Sequence, residues 1–170
     1  MTIRTLVLVR HAKAEASAPT DFERQLTDAG HADAAEAGGW LAEQGVEADY
    51  ALVSAAARAT ETWEDIALAA GWELDLAAYD DGLFAAGTDT ALDLVRETED
   101  GITTLVVIGH NPTIGNLAQL LDDGAGDEDA GNAMAMGFPT AGVAVFSYDG
   151  DWADLEEGAA MLAGFHVGRG

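Results

Sequence analysis

Thr103 to Ile108 reads TTLVVI and runs without interruption into Gly109-His110-Asn111-Pro112. An apolar, β-branched run with no polar alternation predicts a strand covered on both faces, as strands of parallel sheets are. Pro112 suits the first position of a following helix, whose buried stripe would be Ile114, Leu117, Ala118 and Leu121. His110 is thereby placed at the carboxyl end of a buried strand. Working outward, Thr5 to Val9 (TLVLV) has the same unalternating character and delivers Arg10 and His11 at its end. Tyr50 to Ser54 is a third short strand. The helix after it carries Ala59, Trp63, Ile66, Ala67 and Ala70 at helical spacing, with Gly71 beyond its end and Arg58 in its first turn.

The connecting segments alternate with these strands. A polar loop containing Pro19 and Asp21 leads to Thr27, an N-cap residue, and to a helix with Ala34, Ala37 and Leu41 on one face and Gly45 as its stop. Glu73 to Ala85 reads as an extended segment with a turn at Asp80 to Gly82, and Asp89 to Glu99 as a helix with Ala91, Leu92 and Val95 inward. Asp122 to Gly131 is acidic and glycine-rich and reads as a mobile surface loop. Gly142 to Tyr148 is a late strand, and Trp152 to Phe165 adds a short strand with a turn. Strands alternating with helices predict a three-layer α/β/α fold with a mostly parallel central sheet, and the 170 residues form a single domain, 1–170.

Composition limits what such a domain does. Without cysteine there is no thiolate nucleophile, disulfide or thiolate metal site. Against 31 Asp and Glu stand 7 Lys and Arg, a formal net charge of −24, and the acids are spread over every segment. No basic stripe exists to neutralise the phosphates of a nucleic acid. The balance resembles that of proteins from salt-accumulating halophiles. The apolar run at the N-terminus is too short for a signal peptide or membrane span, so a cytoplasmic protein without a membrane partner is expected. A monomer or weak dimer is the expected state.

In an open parallel sheet, ligands bind beyond the carboxyl ends of the strands. That rule brings together Arg10 and His11 from the first strand, Arg58 from the helix after the second, and His110 from the TTLVVI strand. Two guanidinium forks match phosphate oxygens, and a neutral imidazole can attack phosphorus while the cations hold the equatorial oxygens. Backbone N–H groups near Asn111 and Pro112 would add to the anion site, unless Asn111 serves as the helix cap. Two other readings remain: a zinc hydrolase built on His11, His110 and nearby aspartates, which no HExxH-like spacing supports, and a module that binds phosphate without turnover.

Five segments in order resemble the histidine phosphatase superfamily, and within it the SixA-type phosphohistidine phosphatases. LVRHAKAE, Leu8 to Glu15, is similar to the RHG signature, with Ala12 in place of glycine. DFERQLTDAG, Asp21 to Gly30, resembles the branch's DxxRPLTxxG segment, with Gln25 where proline is usual. SAAARATETW (Ser54 to Trp63), GHNPT (Gly109 to Thr113) and FPTAGVAVF (Phe138 to Phe146) match the remaining motifs. The resemblance implies a phosphoglycerate-mutase-like fold, no cofactor or metal, and a phosphorylated substrate such as a histidine-phosphorylated protein. It implies His11 as nucleophile, His110 as a donor to the transferring group, and Arg10, Arg24 and Arg58 as phosphate ligands; Asn111 is a further candidate contact from its place at the helix start, not from the resemblance. The glutamate that serves larger members as proton donor is missing, because Leu83 is followed by Phe84, Ala85 and Ala86. Asp21, Asp80 and Asp81 are the candidates to replace it. His31 and His166 match no motif and read as structural or exposed.

Overall fold

The computed structural model describes residues 2–170. Its six strands are β1 (Ile3–Arg10), β2 (Tyr50–Ser54), β3 (Ala77–Asp80), β4 (Thr104–Gly109), β5 (Gly142–Asp149) and β6 (Met161–Val167). They form one sheet in the order β3-β2-β4-β1-β5-β6. The first four run parallel, while β5 and β6 add an antiparallel edge. Continuous apolar runs became interior strands because both faces are covered. On one face Val7, Val9, Val53, Val106 and Ile108 pack on α1 (Asp28–Glu43) and α2 (Ala57–Ala70) through Leu41, Trp63 and Ile66. On the other, Leu6, Leu8, Leu105 and Val107 pack on α4 (Thr88–Arg96), α5 (Thr113–Leu121) and α6 (Glu128–Ala135) through Leu92, Ile114, Leu117 and Met134. Neighbouring strand residues serve opposite layers, as a pleated strand requires. The expected three-layer α/β/α architecture with a mostly parallel sheet is what the chain adopts.

Local expectations differ from the structure in three places. Asp122 to Gly131 is not one loop, because α6 starts within it: the Asp127 carboxylate accepts from the Ala130 N–H, and Ala130 and Met134 are buried. Acidic residues at a helix start offset its unpaired N–H groups, so the charge that reads as loop in sequence is a cap in the fold. Pro112 precedes α5 as its N-cap rather than opening it, and the Asn111 side chain accepts from the Gly115 N–H. The turn at Asp80 to Gly82 is a single helical turn, α3 (Asp81–Phe84), started by the Asp80 carboxylate accepting from the Gly82 N–H.

Asp33 is the one buried carboxylate among the described residues, so nearly all the negative charge lies at the surface. At about 0.01 M salt the screening length is near 30 Å and the carboxylates repel across the whole fold; at 1 M it is about 3 Å. The melting temperature should therefore rise with potassium chloride from low to molar concentration. Relief of about 1 kcal/mol moves Tm by roughly 3 °C in a chain of this size. A midpoint that stays flat or falls would remove the halophilic interpretation.

Candidate active site

β1 and β4 end in register, Arg10 beside Gly109, and the His11 N–H continues the ladder to the Gly109 carbonyl at 3.0 Å. The two histidines that follow these strand ends are therefore neighbours, with ring centroids 5.2 Å apart at 54°. His11 is 8% exposed. Its Nδ1–H donates to the Ala12 carbonyl at 2.7 Å, since a carbonyl can only accept, and a neutral ring then carries a free lone pair on Nε2. The loop is held from below by Thr62, whose hydroxyl accepts from the Ala12 N–H (3.0 Å) and donates to the Arg58 carbonyl (2.6 Å).

Three guanidinium groups surround this pair. Arg58, second residue of α2, is buried and donates to the Asp21 carbonyl (2.7 Å) and carboxylate (3.1 Å). Arg24 donates to the other oxygen of Asp21 (2.9 Å) and to the Glu15 carbonyl (3.0 Å). It is carried there by a short antiparallel contact in which Glu15 takes the Gln25 carbonyl and Thr27 the Lys13 carbonyl. Only glycine fits at Gly30, where α1 starts, because a Cβ would stand 2.1 Å from the Lys13 carbonyl oxygen. Arg10 donates to the Phe138 carbonyl at 3.2 Å, and the Asn111 amide donates to the same oxygen at 2.7 Å. Asn111, expected either at the phosphate or as the helix cap, has both ends of its amide committed to holding α5 and Phe138. Three of the seven cationic side chains gather at one edge of an otherwise acidic surface.

Burial, above all, pushes His11 down to about 4; the Ala12 bond opposes this and the charges of Arg58, Arg10 and Arg24 add to it. His110 is pushed down to about 3 by burial and then by His11 and Arg58, with Asp21 opposing. Both rings are neutral at physiological pH. Asp21 is raised by burial, but the Arg58 charge and the bonds from Arg58 and Arg24 outweigh this and hold it below the ordinary carboxylate value. It is ionised, an acceptor for guanidinium groups and not a proton donor. Asp80 commits its carboxylate to α3, and Asp81 is exposed.

Four buried side-chain polar atoms have no hydrogen-bond partner among the described residues, and three of them belong here: Arg10 Nε, Arg58 Nε and His110 Nδ1. Buried donors are normally satisfied, so a cluster of such nitrogens beside a free imidazole Nε2 is a receptor for a group rich in acceptor oxygens. No three His, Asp or Glu side chains among the described residues are grouped to hold a metal ion. His31 and His166 lie apart, each on a carboxylate, Asp65 (2.6 Å) and Glu36 (2.6 Å).

Sequence reasoning missed three contributors. Ser54 bonds His110, Thr62 locks the His11 loop, and Phe84 stands edge-on to His110 (5.5 Å, 82°) with the Arg58 guanidinium over its ring at 5.6 Å. Thr62 had a legible signal, a hydroxyl on the apolar face of α2 four residues after Arg58.

The titration of the histidines follows from these environments. In a 15N-edited NMR titration, His11 and His110 should remain neutral from pH 8 to about 5. His31, raised by its bond to Asp65, should already be gaining its proton above about 6.5, the ordinary histidine value. A His11 midpoint at the ordinary value would contradict the buried geometry.

The profile of the histidine phosphatase superfamily (branch 1) matches residues 6–81. An uncharacterized protein of Mycobacterium tuberculosis is 37% identical over 163 residues, covering 95% of this chain and all of that one. Among solved structures, a Nakamurella multipartitia protein provisionally named phosphohistidine phosphatase SixA superposes with a TM-score of 0.85 at 32% identity, over 99% of this chain and 98% of that one. A counterpart from Agrobacterium tumefaciens, named in the same provisional way, gives 0.78 at 29% identity, over 96% and 97%. The family match and the SixA-like neighbour make the chain a phosphatase of the α/β layered class. The chain belongs to the histidine phosphatase superfamily, in the branch with the SixA-like proteins.

Proposed function

We propose that the enzyme hydrolyses phosphohistidine on a protein through a transient phosphohistidine of its own on His11. The observation that carries this reading is the cluster of unpartnered buried donors around a neutral imidazole whose Nε2 is free. In this mechanism the Nε2 lone pair attacks phosphorus, the P–N bond of the substrate breaks, and the leaving imidazole departs with a proton it acquired beforehand. Arg10, Arg24 and Arg58 hold the equatorial oxygens and His110 donates to them. Water then attacks the His11 phosphoramidate, giving inorganic phosphate and restoring the neutral ring.

The assay offers a histidine-phosphorylated protein beside phosphoserine and phosphotyrosine peptides in molar potassium chloride. Release from the phosphohistidine protein alone, or by far the fastest there, supports the substrate class, and indifference among the three removes it. Arg58→Ala should lower kcat/KM by about a hundredfold or more, the loss typical of a preorganised donor to developing charge. A change under threefold would take Arg58 out of the phosphoryl site.

A further inference from the structure

We propose that Ser54 is a positioning residue that sets the tautomer of His110, placing the ring proton on Nδ1 so that this nitrogen donates to the phosphoryl group. The inference rests on the reading that the site transfers a phosphoryl group.

Ser54 is the last residue of β2, and its side chain is fully buried. Register brings it to His110, since Val53 lies beside Ile108 and the next step along each strand leads to Ser54 and Gly109. The Ser54 Oγ lies 2.7 Å from His110 Nε2 and accepts from the Ala56 N–H at 3.3 Å. A hydroxyl has one proton to give, and an N–H cannot accept it. Of the two bonded neighbours, only Nε2 can accept. A buried hydroxyl proton left without an acceptor would cost about 1–3 kcal/mol, so the hydroxyl donates to Nε2. A neutral imidazole that accepts on Nε2 carries its single proton on Nδ1.

The second observation is independent of the first. His110 Nδ1 is buried and has no partner, and it belongs to the same set of unpartnered nitrogens as Arg10 Nε and Arg58 Nε, both of which are obligate donors. With the proton on Nδ1, all three are donors. With the opposite tautomer, Nδ1 would present a lone pair to a phosphoryl oxygen, and Ser54 would hold a proton with nothing to receive it. Phe84, edge-on to the ring, restricts its rotation and leaves the hydroxyl to choose between tautomers.

The test combines a spectroscopic and a kinetic readout. In the wild-type enzyme without substrate, two-bond 1H–15N correlations should show His110 with a protonated Nδ1 and an unprotonated Nε2. In Ser54→Ala the ring should shift toward the Nε2-protonated form or a mixture, and kcat on an aryl phosphate should fall about tenfold with KM nearly unchanged, because a fraction of the enzyme is in the wrong state. Ser54→Thr, which keeps the hydroxyl, should recover most of that loss. Ser54→Ala combined with His110→Ala should be no slower than His110→Ala alone. An Nε2-protonated His110 in the wild-type enzyme overturns the proposal even if no variant folds, as does a folded Ser54→Ala enzyme with unchanged kcat. An inactive wild-type enzyme with an Nδ1-protonated His110 would instead sink the phosphoryl-transfer reading and leave the tautomer assignment standing.

Discussion

His11→Ala is expected to lower turnover by roughly 10⁵-fold or more, because in the proposed mechanism this ring accepts the phosphoryl group and acts as a unit with the groups around it, which cannot substitute for it. The fold should survive. The His11 side chain bonds only to the carbonyl of its own neighbour, Ala12, and truncating it leaves the Thr62 clamp and the β1–β4 ladder in place, at a cost of about 1–2 kcal/mol. Incubation with 32P-labelled substrate and a rapid quench should trap an acid-labile, base-stable phosphoenzyme in the native protein and none in the variant. Label on any other residue, or substantial activity in His11→Ala with a normal melting curve, would show that phosphorus is not attacked from this ring.

The fold was largely legible because burial on both faces leaves a strong mark: Thr5 to Val9 and Thr103 to Ile108 do not alternate, and each ends on the residues that form the site. Arg10, His11, Arg58 and His110 could be grouped from strand ends alone. The partners of these residues were not legible in the same way. Which side chain meets His110 Nε2 is decided by the register of β2 against β4, and nothing in TTLVVI or YALVS states that register. The role of Asn111 was ambiguous for a related reason: the same side chain can cap a helix or touch a ligand, and the choice depends on where Phe138, 27 residues later, leaves its carbonyl. At Asp127 the sequence carried a capping residue, but the surrounding glycines and acids imitated a loop. Phe84 was noticed only as a missing glutamate, although its ring packs against both His110 and Arg58.

That replacement governs the largest difference expected between substrates. Phe84 packs edge-to-face on Phe22 (5.1 Å) and His110, so an apolar ring stands in the segment where larger relatives keep a proton donor. Of the three aspartates that could have taken its place, Asp21 is ionised between two arginines, Asp80 caps α3, and Asp81 is exposed. An alkyl phosphate must expel an alkoxide whose conjugate acid is about as weak as bulk water, with a pKa of about 15.7, and without a general acid that step is slow. The ring of phosphohistidine can be protonated in solution before the P–N bond breaks, so it leaves as neutral imidazole, whose conjugate acid has a pKa of about 6.5. The enzyme should therefore turn over phosphohistidine and activated aryl phosphates faster than phosphoserine or phosphoglycerate by several orders of magnitude in kcat/KM, measured in one buffer at one salt concentration. Comparable native rates on phosphoserine would mean that a proton donor does reach the leaving oxygen, and the preference for phosphohistidine would lose its physical basis.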